Sequence, residues 1–163
     1  MLAKEALLES YNPVQVGYLS EQCIAVDEDD NVVGKVAKGA AHRVDTLGLH
    51  RAFSLFAFTP EKKLILQKRS AEKAELNGGP GAVAAAVRKV EHELGVVDLK
   101  PEECRVMGRF LYKAVMNDSL WGEHELDYVV LTRDLSLSRV TLNPAEVSDV
   151  RTVDEQELAE WVK

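Results

Sequence analysis

An amphipathic helix between two groups of β-rich segments constrains the fold of this chain most. Apolar residues recur at helical spacing over residues 81–94, and Gly95 follows at a position where helices commonly end in a glycine cap. The β-rich segments are 51–58 and 63–68 before the helix, and 105–115 and 124–133 after it. This order predicts one domain, residues 1–163, with a mixed α/β (α+β) fold in which a β-sheet is sandwiched between helices.

Three further segments complete the predicted organisation. Residues 22–38 place two apolar runs around the turn-forming cluster 27–31, which predicts a β-hairpin. The polar, histidine-containing residues 40–50 are predicted to form a loop. Asp154 precedes Glu157 in a capping-box pattern, which predicts that a helix begins near the end of the sequence.

Charge and cysteine content exclude several classes of protein. Twenty Lys and Arg face 27 Asp and Glu, a formal charge of −7, which argues against a broad nucleic-acid surface; an anionic ligand must then be held locally. Cys23 and Cys104 form neither a metal motif nor a disulfide framework, so we expect structural cysteines and a cytoplasmic location. No apolar run approaches the length of a membrane span, and the first residues lack the features of a signal peptide.

The segment WGEHELDY, residues 121–128, carries the strongest chemical signal. If it is a strand, Glu123, Glu125 and Asp127 project from one face. Such a row is costly to bury unless a cation or a proton lies among the carboxylates. The alternative is a half-buried strand with a solvated acidic face.

His42 and His50 bracket the predicted loop and are candidate metal ligands. Imidazole together with carboxylate suits zinc or manganese, whereas magnesium prefers oxygen ligands. Two loop histidines are more often ordinary surface residues, so their significance depends on the carboxylates Glu123 and Glu125.

Glu93 lies beside the apolar stripe of the predicted helix, from where it can reach magnesium bound to a diphosphate. The alternative is an ordinary pair with Lys89, four residues earlier. Lys38, Arg69 and Lys73 lie in or beside the loops that would border one site, where cations can bind diphosphate oxygens; each could equally be a solvated surface charge.

Three segments together resemble a known family. HRAFSLFAF at 50–58, LILQKRS at 64–70, and YKAV with LWGEHELDYVVL at 112–115 and 120–131 are similar to type I isopentenyl-diphosphate isomerases, which have the Nudix fold. The resemblance runs from about Cys23 to Lys163. It implies an isomerase of isoprenoid biosynthesis that interconverts isopentenyl and dimethylallyl diphosphate. The implied partner is this small isoprenyl diphosphate, bound by a monomer or weak dimer.

The resemblance also assigns roles residue by residue. It implies that a divalent metal (Zn²⁺, Mn²⁺ or Mg²⁺) is held by His42, His50, Glu123 and Glu125, and that Mg²⁺ with the diphosphate is held by Glu93. Glu125 would also act as the acid/base group, and Tyr112 would assist protonation. The residues that would face the diphosphate are Lys38, Arg69, Lys73 and Lys89.

The sequence departs from this family at one decisive segment. Family members carry a stretch of the kind Cys-Ser-His-Pro or Cys-Gly-His-Pro that supplies the catalytic cysteine and a third metal-binding histidine, whereas residues 70–87 read SAEKAELNGGPGAVAAAV. They also continue past the position of Lys163 with an aromatic-rich segment. We therefore expect poor or absent turnover, and a family member that only binds metal and diphosphate is the first alternative. The second, a Nudix pyrophosphohydrolase, is disfavoured because Lys89 and His92 replace two glutamates of the Nudix box.

Overall fold

The computed structural model describes residues 19–69, 81–117 and 119–162. It contains these helices and strands, in chain order: β1 Gln22–Val26, β2 Val32–Ala37, α1 Lys38–His42, β3 His50–Ala57, β4 Leu64–Arg69, α2 Ala82–Leu94, β5 Cys104–Val115, β6 Gly122–Thr132, β7 Val147–Val153 and α3 Glu155–Trp161. The predicted mixed α+β class is confirmed. No helix within the described ranges is long and apolar enough to cross a bilayer.

The strands form two sheets. The larger has the order β2-β1-β3-β6-β5, and the smaller pairs β4 with β7. β1 and β2 form the predicted antiparallel hairpin, and β1 also runs antiparallel to β3, with Ala25 opposite His50. The hairpin turn is organised by Asp27, whose Oδ1 accepts the backbone N–H of Asn31 at 2.8 Å.

The chain groups into two compact units. Among the described residues, the first unit comprises 19–53, 109–117 and 119–128, and the second comprises 54–69, 81–108 and 129–162. The second has a core to which α2 contributes Val90 and Leu94, as its apolar periodicity predicted. The other buried members of this core are Ala57, Val96, Leu99, Leu135 and Val147.

Local signals predicted both longer helices well. The N–H of Gly95 donates to the carbonyl of Glu91, and its φ of 65° confirms the predicted glycine cap. At α3, Asp154 Oδ1 accepts the N–H of Glu157, and Glu157 Oε2 accepts the N–H of Asp154, so the predicted capping box is confirmed.

Two elements differ from the prediction. Residues 38–42 form α1 rather than the end of a hairpin and the start of a loop, because Lys38 N–H and Gly39 N–H donate to the carbonyls of Glu21 and Leu19. β7 was not predicted, because its apolar residues recur every third position and do not alternate; its pairing with β4 is a long-range contact.

Candidate metal and acid-base site

Three buried side chains from three elements of the first unit converge at one point. His42 is the last residue of α1, His50 the first of β3, and Glu125 lies in β6, the neighbour of β3 in the sheet. One ligand atom from each lies within 4.8 Å of the others. The connection between the histidines is held close to α1, since Gly48 N–H donates to the carbonyl of Ala41 at 3.3 Å.

Backbone contacts fix which imidazole nitrogens carry protons. His42 Nδ1 lies 3.0 Å from the carbonyl oxygen of Lys38, and His50 Nδ1 lies 2.9 Å from that of Gly48. A carbonyl oxygen only accepts hydrogen bonds, so both Nδ1 atoms must be protonated. In a neutral imidazole the Nε2 atom is then left with a lone pair.

Both Nε2 atoms point toward the same carboxylate oxygen. Glu125 Oε1 lies 3.4 Å from His42 Nε2 and 3.3 Å from His50 Nε2. Among the described residues, His50 Nε2 is buried without a hydrogen-bond partner. Three lone pairs that face one another require positive charge between them, either as imidazolium protons or as a metal cation. Two imidazoles and a carboxylate are a donor set that fits a divalent metal.

The second oxygen of Glu125 faces a phenol. Tyr112 on β5 places its hydroxyl 2.8 Å from Glu125 Oε2 and 2.9 Å from Glu123 Oε2. Burial and then the charge of Glu125 raise the pKa of Tyr112 far above its ordinary value. The phenol therefore keeps its proton, and one O–H group serves two carboxylates.

Glu125 itself is held in its ionised form. Burial alone raises the pKa of this carboxyl, but its interactions with the side chains of His42, His50 and Tyr112 outweigh burial and lower the pKa to about 2. The two histidine contacts act in this way only when the imidazoles are protonated. Proton and metal are thus alternative ways to satisfy the same carboxylate.

The acidic row of β6 is not a solvated face. Glu125 and Asp127 are both buried, while Glu123 is half-buried. Gly122, at the start of this strand, permits the close approach of β5: a Cβ there would lie 2.7 Å from the carbonyl oxygen of Ala114. The solvated alternative considered for this segment is therefore wrong.

Two other groups of the first unit bear on the predicted site. Lys38 has a side chain only 5% exposed, and its Nζ lies 3.3 Å from Glu21 Oε2. Cys23 is 1% exposed, and burial raises the pKa of its thiol to about 11. A buried, protonated thiol fits the predicted structural role.

Glu93 lies in the second unit, where both of its carboxylate oxygens have partners. Gln67 Nε2 donates to Oε2 at 2.8 Å, and Lys89 Nζ lies 3.3 Å from Oε1, the helix pair considered from the sequence. The contact with Gln67 was not predicted, because this glutamine lies 26 residues away in a strand. No local sequence pattern indicates this contact.

The structure therefore brings together three of the predicted metal ligands. His42, His50 and Glu125 form one cluster, and Glu123 joins it through Tyr112. The Arg69 side chain and Lys73 lie outside the described residues.

Comparisons with known proteins identify the family of this chain. A NUDIX domain family model matches residues 48–163. Isopentenyl-diphosphate Delta-isomerase 1 of Mesocricetus auratus is 37% identical over 177 residues, covering 91% of this chain and 76% of that protein. Isopentenyl-diphosphate Delta-isomerase II, chloroplastic, of Arabidopsis thaliana is 39% identical over 171 residues, covering 88% of this chain and 59% of that protein.

A solved structure shares the fold. The crystal structure of DR0079 from Deinococcus radiodurans matches with a TM-score of 0.60 and 17% identity, covering 87% of this chain and 88% of that one.

The alignment with the Mesocricetus protein is longer than the entire 163-residue chain although it covers 91% of it. That relative therefore has residues within the aligned region that this chain lacks.

Proposed function

The chain belongs to the NUDIX domain family and, within it, to the isopentenyl-diphosphate Delta-isomerases, and from this premise we propose that it interconverts isopentenyl and dimethylallyl diphosphate by metal-assisted allylic proton transfer. The observation that carries the proposal is the convergence of His42 Nε2 and His50 Nε2 on one oxygen of Glu125, with Tyr112 on the other. The proposal includes one Nudix-like domain over residues 1–163, a cytoplasmic location, and a monomer or weak dimer.

The proton-transfer roles follow from the protonation states. Glu125 is ionised and can accept a proton from the substrate. Tyr112 keeps its proton and can donate a hydrogen bond to a carboxylate. His42, His50 and Glu125, with Glu123 beside them, would hold a divalent metal. Such a metal would orient Glu125 and tune its basicity.

The diphosphate would be bound by Mg²⁺ at Glu93 and by the cations Lys38, Arg69, Lys73 and Lys89. Two ion pairs set a condition on this role. Lys89 already stands beside Glu93 as a cation, and Lys38 is paired with Glu21. For phosphate to reach Lys38, its ammonium must exchange Glu21 for a phosphate oxygen, since it is nearly enclosed.

A second candidate function is binding of metal and diphosphate without turnover. Residues 70–87 contain neither cysteine nor histidine, and the allylic proton transfer needs two acid/base groups that flank the substrate. Cys23 is buried, so its thiol is not an exposed acid/base partner for Glu125.

Heavy-water exchange separates the two candidates. The proposed isomerase incorporates deuterium from heavy water into isopentenyl or dimethylallyl diphosphate, and the Glu125→Gln variant does not. Glu160→Gln removes the same charge from an exposed position of α3 and should leave exchange unchanged. Absence of exchange in the unmodified protein, together with calorimetric binding of magnesium and an unreactive diphosphate, would establish the binding function instead.

A further inference from the structure

The end of helix α2, which carries Glu93, rests on a turn formed by residues 141–147 of the same unit. The last four carbonyls of an α-helix have no partner within the helix body and must find donors elsewhere. At α2 all four are satisfied. The donors are Gly95 N–H to Glu91 O at 2.9 Å, Asn143 Nδ2 to His92 O at 3.1 Å, Asn143 N–H to Glu93 O at 3.0 Å, and Thr141 N–H to Leu94 O at 2.8 Å.

Asn143 is the centre of this turn. Besides its two donations to α2, its Oδ1 accepts the N–H of Ala145 at 3.2 Å. Its carbonyl oxygen accepts the N–H groups of Glu146 at 2.9 Å and of Val147 at 2.8 Å. Val147 is the first residue of β7 and is fully buried. One asparagine therefore connects the end of α2 to the start of β7.

Two further observations show that the turn packs closely against the helix end. Glu146 is 1% exposed, and its Oε1 lies 3.4 Å from Nε2 of His92, the residue before Glu93. A Cβ added to Gly95 would lie 2.5 Å from the carbonyl oxygen of Thr141, so the approach is too close for any residue larger than glycine. The helix end thus has little freedom to rotate or fray.

Glu93 is thereby fixed at both of its ends. Its carbonyl is held by Asn143, and its carboxylate is held by Gln67 and Lys89. Gln67 itself lies in β4, the partner of β7. The turn and the glutamine approach Glu93 from the two strands of one small sheet.

We propose that Asn143 is a positioning residue, which holds the last turn of α2 so that Glu93 presents its carboxylate to a magnesium diphosphate. This inference rests on the role given to Glu93 in the proposed function. Groups that orient a ligand of a metal commonly change its affinity 10- to 100-fold when they are removed. Asn143→Ala removes the donor to His92 and the acceptor for Ala145, and it should weaken binding of magnesium pyrophosphate about 10-fold.

The test is calorimetric titration of the full chain with inorganic pyrophosphate in the presence of magnesium. Asn31→Ala is the matched control, because Asn31 is also a turn asparagine, with its Nδ2 donating to Asp27 at 2.9 Å in the β1–β2 hairpin. It should bind like the unmodified protein. Asn143→Asp keeps an acceptor for Ala145 and loses the donor to His92, so it gives an intermediate loss and serves if the alanine variant does not fold.

A double-mutant cycle distinguishes positioning from a general structural effect. Glu93→Gln alone should weaken pyrophosphate binding, and Asn143→Ala should weaken it no further in the Glu93→Gln background. An equal loss in both backgrounds, or unchanged affinity of both Asn143 variants while Glu93→Gln binds weakly, overturns the inference and leaves the proposed function standing. Unchanged affinity of Glu93→Gln itself overturns the inference together with the proposed role of Glu93.

Discussion

Replacing Asp30 by asparagine should destabilise the fold through side-chain contacts alone. Asp30 lies in the β1–β2 turn with a φ of 72°, and its side chain is 12% exposed. Its carboxylate accepts hydrogen bonds from Arg51 Nε at 2.8 Å, from Arg109 Nη1 at 2.7 Å and from the hydroxyl of Tyr128. These partners lie on β3, β5 and β6, so one carboxylate ties the turn to three strands of the larger sheet.

The expected loss of unfolding free energy follows from the groups that donate hydrogen bonds to Asp30. Asparagine adopts the left-handed region readily, so the substitution adds little backbone strain. A hydrogen bond to a charged group contributes about 1.5–3 kcal/mol, and the contact with the largely buried Arg51 is of this kind. The contact with Arg109 is solvent-exposed and contributes little. We expect Asp30→Asn to lower the free energy of unfolding by about 2 kcal/mol.

Equilibrium unfolding in urea measures this change, and Asp29→Asn is its control. Asp29 is an exposed residue of the same turn, so its variant removes the same charge, and we expect a change within about 0.5 kcal/mol. If the two variants are equally stable, the contacts of Asp30 do not stabilise the fold as argued.

The effect of Asp30 should also depend on pH. Burial alone raises the pKa of Asp30, but hydrogen bonds from Tyr128 and Arg51 outweigh it and lower the pKa overall. A lowered folded-state pKa means that the contribution is complete above the unfolded-state value, about 3.9, and is lost as pH falls below it. The difference between the unmodified protein and Asp30→Asn should therefore be constant from pH 7 to 5 and shrink below about 4.

Three other substitutions test the site. His50→Gln should lower the metal content found by elemental analysis, and acidification should release metal as well because the ligands must be deprotonated; equal content in both proteins contradicts the site. Tyr112→Phe should reduce deuterium incorporation at least about 100-fold while metal content is retained, and undiminished exchange argues against its role. Gly122→Ala should lower the free energy of unfolding by about 1–3 kcal/mol, because its Cβ would meet the Ala114 carbonyl; unchanged thermal stability contradicts this close approach.

Local patterns predicted those parts of the fold that local contacts stabilise. α2 and its glycine cap, and the capping box of α3, depend on residues three or four positions apart, and the sequence displays that spacing directly. α1 does not depend on such local contacts. Its first N–H groups donate to the carbonyls of Leu19 and Glu21, about 20 residues earlier.

The candidate ligands of the site could be identified from the sequence, but their arrangement could not. His42, His50 and Glu125 are visible as residue types beside a distinctive motif. The burial of Lys38 and its pairing with Glu21 are not visible, nor is the contact of Gln67 with Glu93, since each depends on how distant segments pack. The role of Asn143 was missed for the same reason: its two acceptors on α2 lie 51 and 50 residues away.

Local backbone contacts orient the two histidines so that a cation is needed beside Glu125. His42 Nδ1 is bound by the carbonyl four residues before it, and His50 Nδ1 by the carbonyl two residues before it, so each tautomer is set within its own segment. Glu125 lies on β6, and its Oε1 atom faces both Nε2 atoms. Each of these contacts is made by residues outside the segment 70–87. His50→Gln should therefore lower the metal content even if the unmodified protein shows no heavy-water exchange.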